Sequence, residues 1–136
     1  MEKDGYPVWS FFDYILSWWK YKHLSNILFV HYADLKRDPD GEIRRIAAFL
    51  DVAIDEETFP KILEYCSFDF MKENFTKYVP LGGGHFKEPD AFINKGKNKR
   101  WQEVLSEEEV AAYEATAIER LGEECAHWLA NGGHPV

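Results

Sequence analysis

The sequence predicts an α/β domain, mostly helical with one clear buried strand, and three observations carry that reading. Apolar residues recur at spacings of three, four and seven along much of the chain, as amphipathic helices require. One unbroken β-prone run, Ile27-Leu28-Phe29-Val30, ends at His31-Tyr32 and suits a strand covered on both faces, as in parallel sheets. The 136 residues are 46% hydrophobic and 16% aromatic, enough for one core that removes roughly 68% of the unfolded chain's surface from water. The same composition excludes a disordered or low-complexity chain.

The first element is a largely buried helix over residues 9–22, because Phe11, Ile15, Trp18 and Trp19 fall at helical spacing with Phe12 and Leu16 beside them. The strand follows. Asp38-Pro39 then opens a helix, since the Asp can cap it and a Pro in the first turn loses no hydrogen bond. Ile43, Ile46, Ala47 and Leu50 share its face, and Asp40 and Arg44 form an exposed pair. A further helix starts near Asp55 and carries Ile62, Leu63 and Tyr65, with Pro60 near its first turn. Residues 67–74 read as another short helical piece.

Residues 75–100 lose periodicity and are punctuated by Pro80, Gly82-Gly83-Gly84 and Pro89. Ser106 followed by Glu109 is a capping box. Val110, Tyr113, Ala117, Leu121, Cys125 and Trp128 form the stripe of one long closing helix that stops before Gly132-Gly133. Gly122 inside it should cost about 1 kcal/mol relative to Ala. A strand buried on both faces needs neighbouring strands for its N–H and C=O groups, and the rest of the chain does not supply them. Two architectures accommodate this: part of an α/β domain, which is preferred, or a helical domain in which residues 27–32 are an edge or solitary extended segment.

Twenty-four acidic against 16 basic side chains give a formal charge of −8, so attraction of the whole molecule to nucleic acid or an anionic membrane is not expected. Cys66 and Cys125 are too few for a disulfide framework or thiolate metal cage, and no signal peptide or long apolar run accompanies them. The expectation is a cytoplasmic protein without a membrane span, its two thiols reduced. The five histidines show no pair at metal-ligand spacing, so no metal is expected, and His31 reads as a hydrogen-bonded core residue. Gly82-Gly83-Gly84-His85 lacks the Lys-Ser/Thr of a phosphate loop. Against the acidic background stands Lys95-Gly96-Lys97-Asn98-Lys99-Arg100: four cations in six residues beside a Gly can close on a phosphate, or form a solvated charged loop.

Taken in order, these segments resemble the C-terminal half of the cytosolic-type sulfotransferase family, which moves a sulfuryl group from 3′-phosphoadenosine 5′-phosphosulfate (PAPS) to a hydroxyl or amine. Residues 8–13 with Trp18-Trp19 resemble its Gly-Ser-Trp-Phe…Gly-Trp-Trp stretch. Residues 27–36 resemble its strand and Tyr-Glu-Asp-Met/Leu-Lys turn, and Asp38-Pro39, Glu42-Ile43 and Phe49-Leu50 extend the match. Cys66-Ser67-Phe68-Asp69-Phe70-Met71 is similar to Thr-Ser-Phe-x-x-Met, and residues 92–101 are similar to the 3′-phosphate signature Phe-x-Arg-Lys-Gly-x-x-Gly-x-Trp. Asn94 stands where that signature has Arg, and Lys99 where it has its second Gly.

The resemblance implies one partial domain over residues 1–136, the C-terminal portion of a P-loop-like sulfotransferase domain. PAPS is then the co-substrate and no metal takes part. Tyr32, Ser67, Phe68 and Met71 would contact the nucleoside, and Asn94, Lys95 and Gly96 would sit at the 3′-phosphate. The implied partners are PAPS or adenosine 3′,5′-bisphosphate, a small alcohol, phenol or amine acceptor, and a second copy or the missing N-terminal half. The family's 5′-phosphosulfate loop and catalytic His belong to that other half, so no catalytic residue is assigned and weak or absent turnover is expected of this chain alone. The alternative is a non-catalytic helical interaction module derived from such an enzyme.

Overall fold

The computed structural model describes residues 10–78, 93 and 95–135. In chain order the elements are α1 (Phe11–Trp19), α2 (Tyr32–Arg37), α3 (Pro39–Phe49), α4 (Phe59–Tyr65), α5 (Phe68–Glu73), α6 (Phe75–Tyr78), a 3₁₀ turn (Arg100–Glu103), α7 (Glu107–Leu121) and α8 (Glu123–Asn131). They divide into two compact units, Met1–Asp51 with Trp101–Val136, and Val52–Arg100.

In the first unit, the Ser10 hydroxyl accepts the Asp13 N–H at 3.0 Å and starts α1. The residue at which the sequence set this start, Trp9, lies outside the described residues. Phe12 and Trp19 are buried, but Phe11, Tyr14 and Trp18 are about half exposed, so α1 is amphipathic rather than largely buried. The expected buried strand is not formed: among the described residues no strand ladder exists, residues 27–30 run half-buried without strand hydrogen bonding, and Tyr32 already begins α2. The reason is the missing neighbours. Side chains serve in their place, with Arg45 Nη2 donating to the Phe29 carbonyl at 2.9 Å. Phe29 packs edge-on against Trp19 (centroids 5.6 Å) and Trp128 (5.4 Å). Phe29, within the apolar run, is therefore held by aromatic packing on α1 and α8, not by a sheet.

Asp38 caps α3 through Gly41 N–H at 2.9 Å with Pro39 in the first turn, and Arg44 meets Asp40 at 2.7 Å. Leu50, expected on the buried face, is exposed just past the helix end. The capping box at Ser106 and Glu109 closes in both directions. The single closing helix is two helices: Gly122, at φ +77° and ψ +162°, ends α7 and begins α8. That conformation is close to exclusive to glycine. The apolar stripe nevertheless continues through it, and Phe12, Trp19, Ala117, Leu121, Cys125 and Ala126 form one core with Ile15, Leu16, Phe29, Trp128 and Leu129 against it.

Two buried carboxylates tie down the segment after α8. Asp34 accepts the Gly133 N–H at 2.7 Å and Arg37 Nη1 at 2.9 Å, while Arg37 Nη2 donates to the Asn131 carbonyl at 3.2 Å. Glu42 takes Arg45 Nη2 at 2.6 Å and His134 Nε2 at 2.7 Å. His31 behaves as expected of a satisfied core histidine. Its Nδ1 accepts the Ala33 N–H at 3.1 Å, which assigns the proton to Nε2, 3.1 Å from the Leu129 carbonyl.

The second unit is built on α4, α5 and α6. The turn before α4 is held by Asp55, whose carboxylate accepts the Glu57 N–H at 3.1 Å and the Thr58 hydroxyl at 3.0 Å, so the helix starts at Phe59, after the Asp rather than at it. Phe59 and Phe75 are buried, and the Tyr65 and Phe70 rings lie 4.7 Å apart. Phe75 opens α6 where the sequence lost its periodicity, because a four-residue helix is shorter than one apolar repeat. The Gly82-Gly83-Gly84-His85 segment lies outside the described residues.

Candidate functional site

Helix α5 and the loop at residues 95–100 belong to the same unit, whose described residues include five of the seven sequence-predicted ones, Ser67, Phe68, Met71, Lys95 and Gly96. The Ser67 hydroxyl caps α5 by accepting the Phe70 N–H at 3.1 Å, which leaves its own O–H as a donor. Phe68, the residue after Ser67, and Met71, about one turn on, share a face of α5, and all three residues are half-buried. Gly96 stands against that face. At φ +57°, a Cβ on Gly96 would lie 2.5 and 2.7 Å from two Phe68 ring carbons, so only glycine lets the backbone approach the ring this closely.

Around this contact the loop is cationic. Lys95, Lys97, Lys99 and Arg100 are exposed, and none makes an ion pair with another described residue. Lys99 adopts φ +63°, a left-handed conformation held by one other described non-glycine residue, Asp51. Lys99 stands where the family signature has its second Gly, and with Lys97 and Arg100 it is one of the cations that could restore the charge lost at Asn94, though not its fork geometry. The structure thus joins Phe68 with Gly96 and sets Ser67 and Met71 on the same helix. Tyr32 belongs to the first unit, where its exposed ring opens α2. Asn94 lies outside the described residues.

Other groups offer less. Burial, with a smaller contribution from Glu124, pushes the Cys125 thiol above its ordinary range, keeping it protonated and unreactive. Cys66 is exposed, and both cysteines are free. A groove of about 1020 Å³ runs along α7 and α8, lined by Trp101, Leu105, Tyr113 and Ile118 among others, with Glu114, Glu123 and Glu124 as its acidic lining residues. Among the described residues, no group of three or more His, Cys, Asp or Glu could hold a metal ion, and no helix is long and apolar enough to cross a membrane.

The helical arrangement defines the chain as having a sulfotransferase fold. It matches a crystal structure of mouse sulfotransferase SULT7A1 complexed with PAP with a TM-score of 0.72 at 22% identity, over 89% of this chain and 44% of that one. The sequence is also similar to mouse sulfotransferase 1B1, with 34% identity over 116 residues, and to human sulfotransferase 1C2, with 44% identity over 72 residues. Those alignments cover 82% and 52% of this chain. The family model for the sulfotransferase domain matches residues 4–123, and the chain belongs to that family of transferases. It spans 38% of the length of the mouse 1B1 protein and 24% of the human 1C2 protein.

Proposed function

We propose that this chain carries the adenosine and 3′-phosphate clamp of a PAPS-dependent sulfotransferase, as one partial domain acting in the cytoplasm. The observation that carries the reading is the close approach of Gly96 to the Phe68 ring, which forms a cradle that a Cβ would fill, at the edge of a loop with four cations. The residues present fit the 3′-phosphoadenosine end of PAPS. Lys95 supplies charge to the phosphate, the Gly96 N–H approaches it without an intervening side chain, and Ser67, Phe68 and Met71 contact the nucleoside. The proposal is confined to the second unit and leaves Tyr32 with the first.

PAPS supplies the sulfuryl group for a small alcohol, phenol or amine acceptor. Transfer further needs a base for the acceptor and cations on the developing bridging oxygen. No residue described here is assigned either part, so this chain's contribution is to bind and orient the nucleotide. The test is titration calorimetry of adenosine 3′,5′-bisphosphate, with ATP as comparison, into the full chain and Lys95→Ala. Preference for the bisphosphate, weakened by the substitution, is expected. Equal binding by both proteins overturns the clamp, and robust sulfuryl transfer by this chain alone overturns the division of labour.

A further inference from the structure

We infer that Lys99 is a second phosphate-binding cation, held in an unfavourable backbone conformation for the sake of its charge; this rests on the clamp reading above. Left-handed φ is at ease for Gly and tolerable for Asn or Asp, whose short polar side chains bond locally. Asp51, at φ +55°, fits that rule, whereas Lys99, at φ +63°, does not. A lysine has neither the missing Cβ nor the short hydrogen-bonding arm.

A second cost adds to the first. Lys99 sits with Lys95, Lys97 and Arg100 in six residues, all exposed, and no described carboxylate pairs with any of them. Like charges at such spacing repel each other, and no described residue offsets that repulsion at this lysine. Both costs are offset if a dianionic phosphate monoester occupies the loop, because its charge needs more than one cation and accepts several donors. Positive φ at Gly96 and again at Lys99 turns the chain twice within four residues, so the stretch does not run straight. Backbone strain of this kind collects at ligand clamps, and the direction of inference runs from the observed outlier to the role. In this inference the phosphate that Lys99 serves is the one Lys95 serves, bound by point charges rather than by a guanidinium fork.

Four variants of the full chain separate charge from strain. Lys99→Gly removes both, Lys99→Ala removes the charge and keeps the strain, Lys99→Arg keeps both, and Lys95→Ala reports on the clamp itself. Thermal melting without ligand and calorimetric titration with adenosine 3′,5′-bisphosphate are read for each, with adenosine 5′-monophosphate, which lacks the 3′-phosphate, as control. Lys99→Gly should melt at or above the wild-type temperature yet bind the bisphosphate about tenfold more weakly, the loss of one charge-assisted contact. Lys99→Ala should lose the same affinity, Lys99→Arg should retain it, and none should alter monophosphate binding. Unchanged affinity in Lys99→Gly while Lys95→Ala loses binding overturns the role of Lys99 alone. Unchanged affinity in both, or no binding by the wild type, overturns the clamp and this inference with it.

Discussion

Replacing Gly96 by Ala adds one methyl group where the structure leaves no room for it. The added Cβ would meet Phe68 Cδ2 at 2.5 Å and Cε2 at 2.7 Å, against an optimal carbon separation of about 3.5–4.0 Å, so ring or loop must move by about 1 Å. Forcing an extra carbon into a packed site costs about 1–3 kcal/mol. The backbone at φ +57° adds about 1–2 kcal/mol for any L-residue. The expected loss is therefore about 2–5 kcal/mol, read as a lower urea midpoint at unchanged slope. The two parts can be separated. In a Phe68→Ala background the clash disappears and only the backbone cost remains, so the same Gly96→Ala change should cost about 1–2 kcal/mol there. Bisphosphate affinity should fall in Gly96→Ala, since the displaced ring belongs to the proposed nucleoside site. A midpoint for Gly96→Ala within error of wild type, or an identical loss with and without the Phe68 ring, would refute the close approach on which the clamp rests.

Gly122→Ala is the complementary case, because nothing lies within 4 Å of the new Cβ and the penalty is backbone conformation alone; about 1–3 kcal/mol is expected in urea titration, and a neutral result would restore the single closing helix. Gly132→Ala should cost about 2 kcal/mol or more, since φ is +79° and the Cβ would lie 2.6 Å from the Asp34 carboxylate; the same change in an Asp34→Ala background should cost distinctly less. Hydrogen bonding from Arg45 holds the Glu42 carboxyl below the usual carboxylate range, outweighing burial, with His134 assisting. Because the folded value lies below the unfolded one, this stabilisation is fully present above the ordinary carboxylate pKa of about 4.3 and is lost as pH falls through the folded value. Urea midpoints measured from pH 7 downward should show that loss in wild type, and Glu42→Gln should flatten it while costing about 2 kcal/mol at neutral pH; parallel curves for the two proteins would assign the acid sensitivity elsewhere.

Where a structural decision rests on a few adjacent residues, it could be read from the chain. Asp38-Pro39, Ser67 and the Ser106 and Glu109 pair all cap as their side chains dictate, because a cap needs only its own helix turn. Residues 27–30 read as a strand in the sequence because strand formation depends on partners elsewhere, and a run whose Phe29 packs on Trp19 and Trp128 has the same composition as one packed in a sheet. The break at Gly122 is hidden in the sequence because the stripe from Leu121 to Cys125 and Trp128 keeps its spacing across it. Of the candidate site, the residue types were legible and the Phe68 to Gly96 contact was not, since it joins positions 28 residues apart. The buried carboxylates Asp34 and Glu42 gave no sequence signal beyond their place in the turn and helix start, charged residues being surface residues by default.

The tie between the early helices and the segment after α8 also sets an order of events during synthesis. His31, Arg37, Asp34 and Glu42 find their partners 98, 94, 99 and 92 residues later in the chain. At about 5–20 residues per second, a ribosome needs roughly 5–20 s to make those partners after the first half of each pair has emerged. Through that interval two carboxylates destined for burial stay hydrated, and Trp19 and Phe29 wait for Trp128. The first unit is therefore completed only after α8 has been made, and a nascent chain stalled before α8 would present its aromatic cluster to chaperones rather than to its own core.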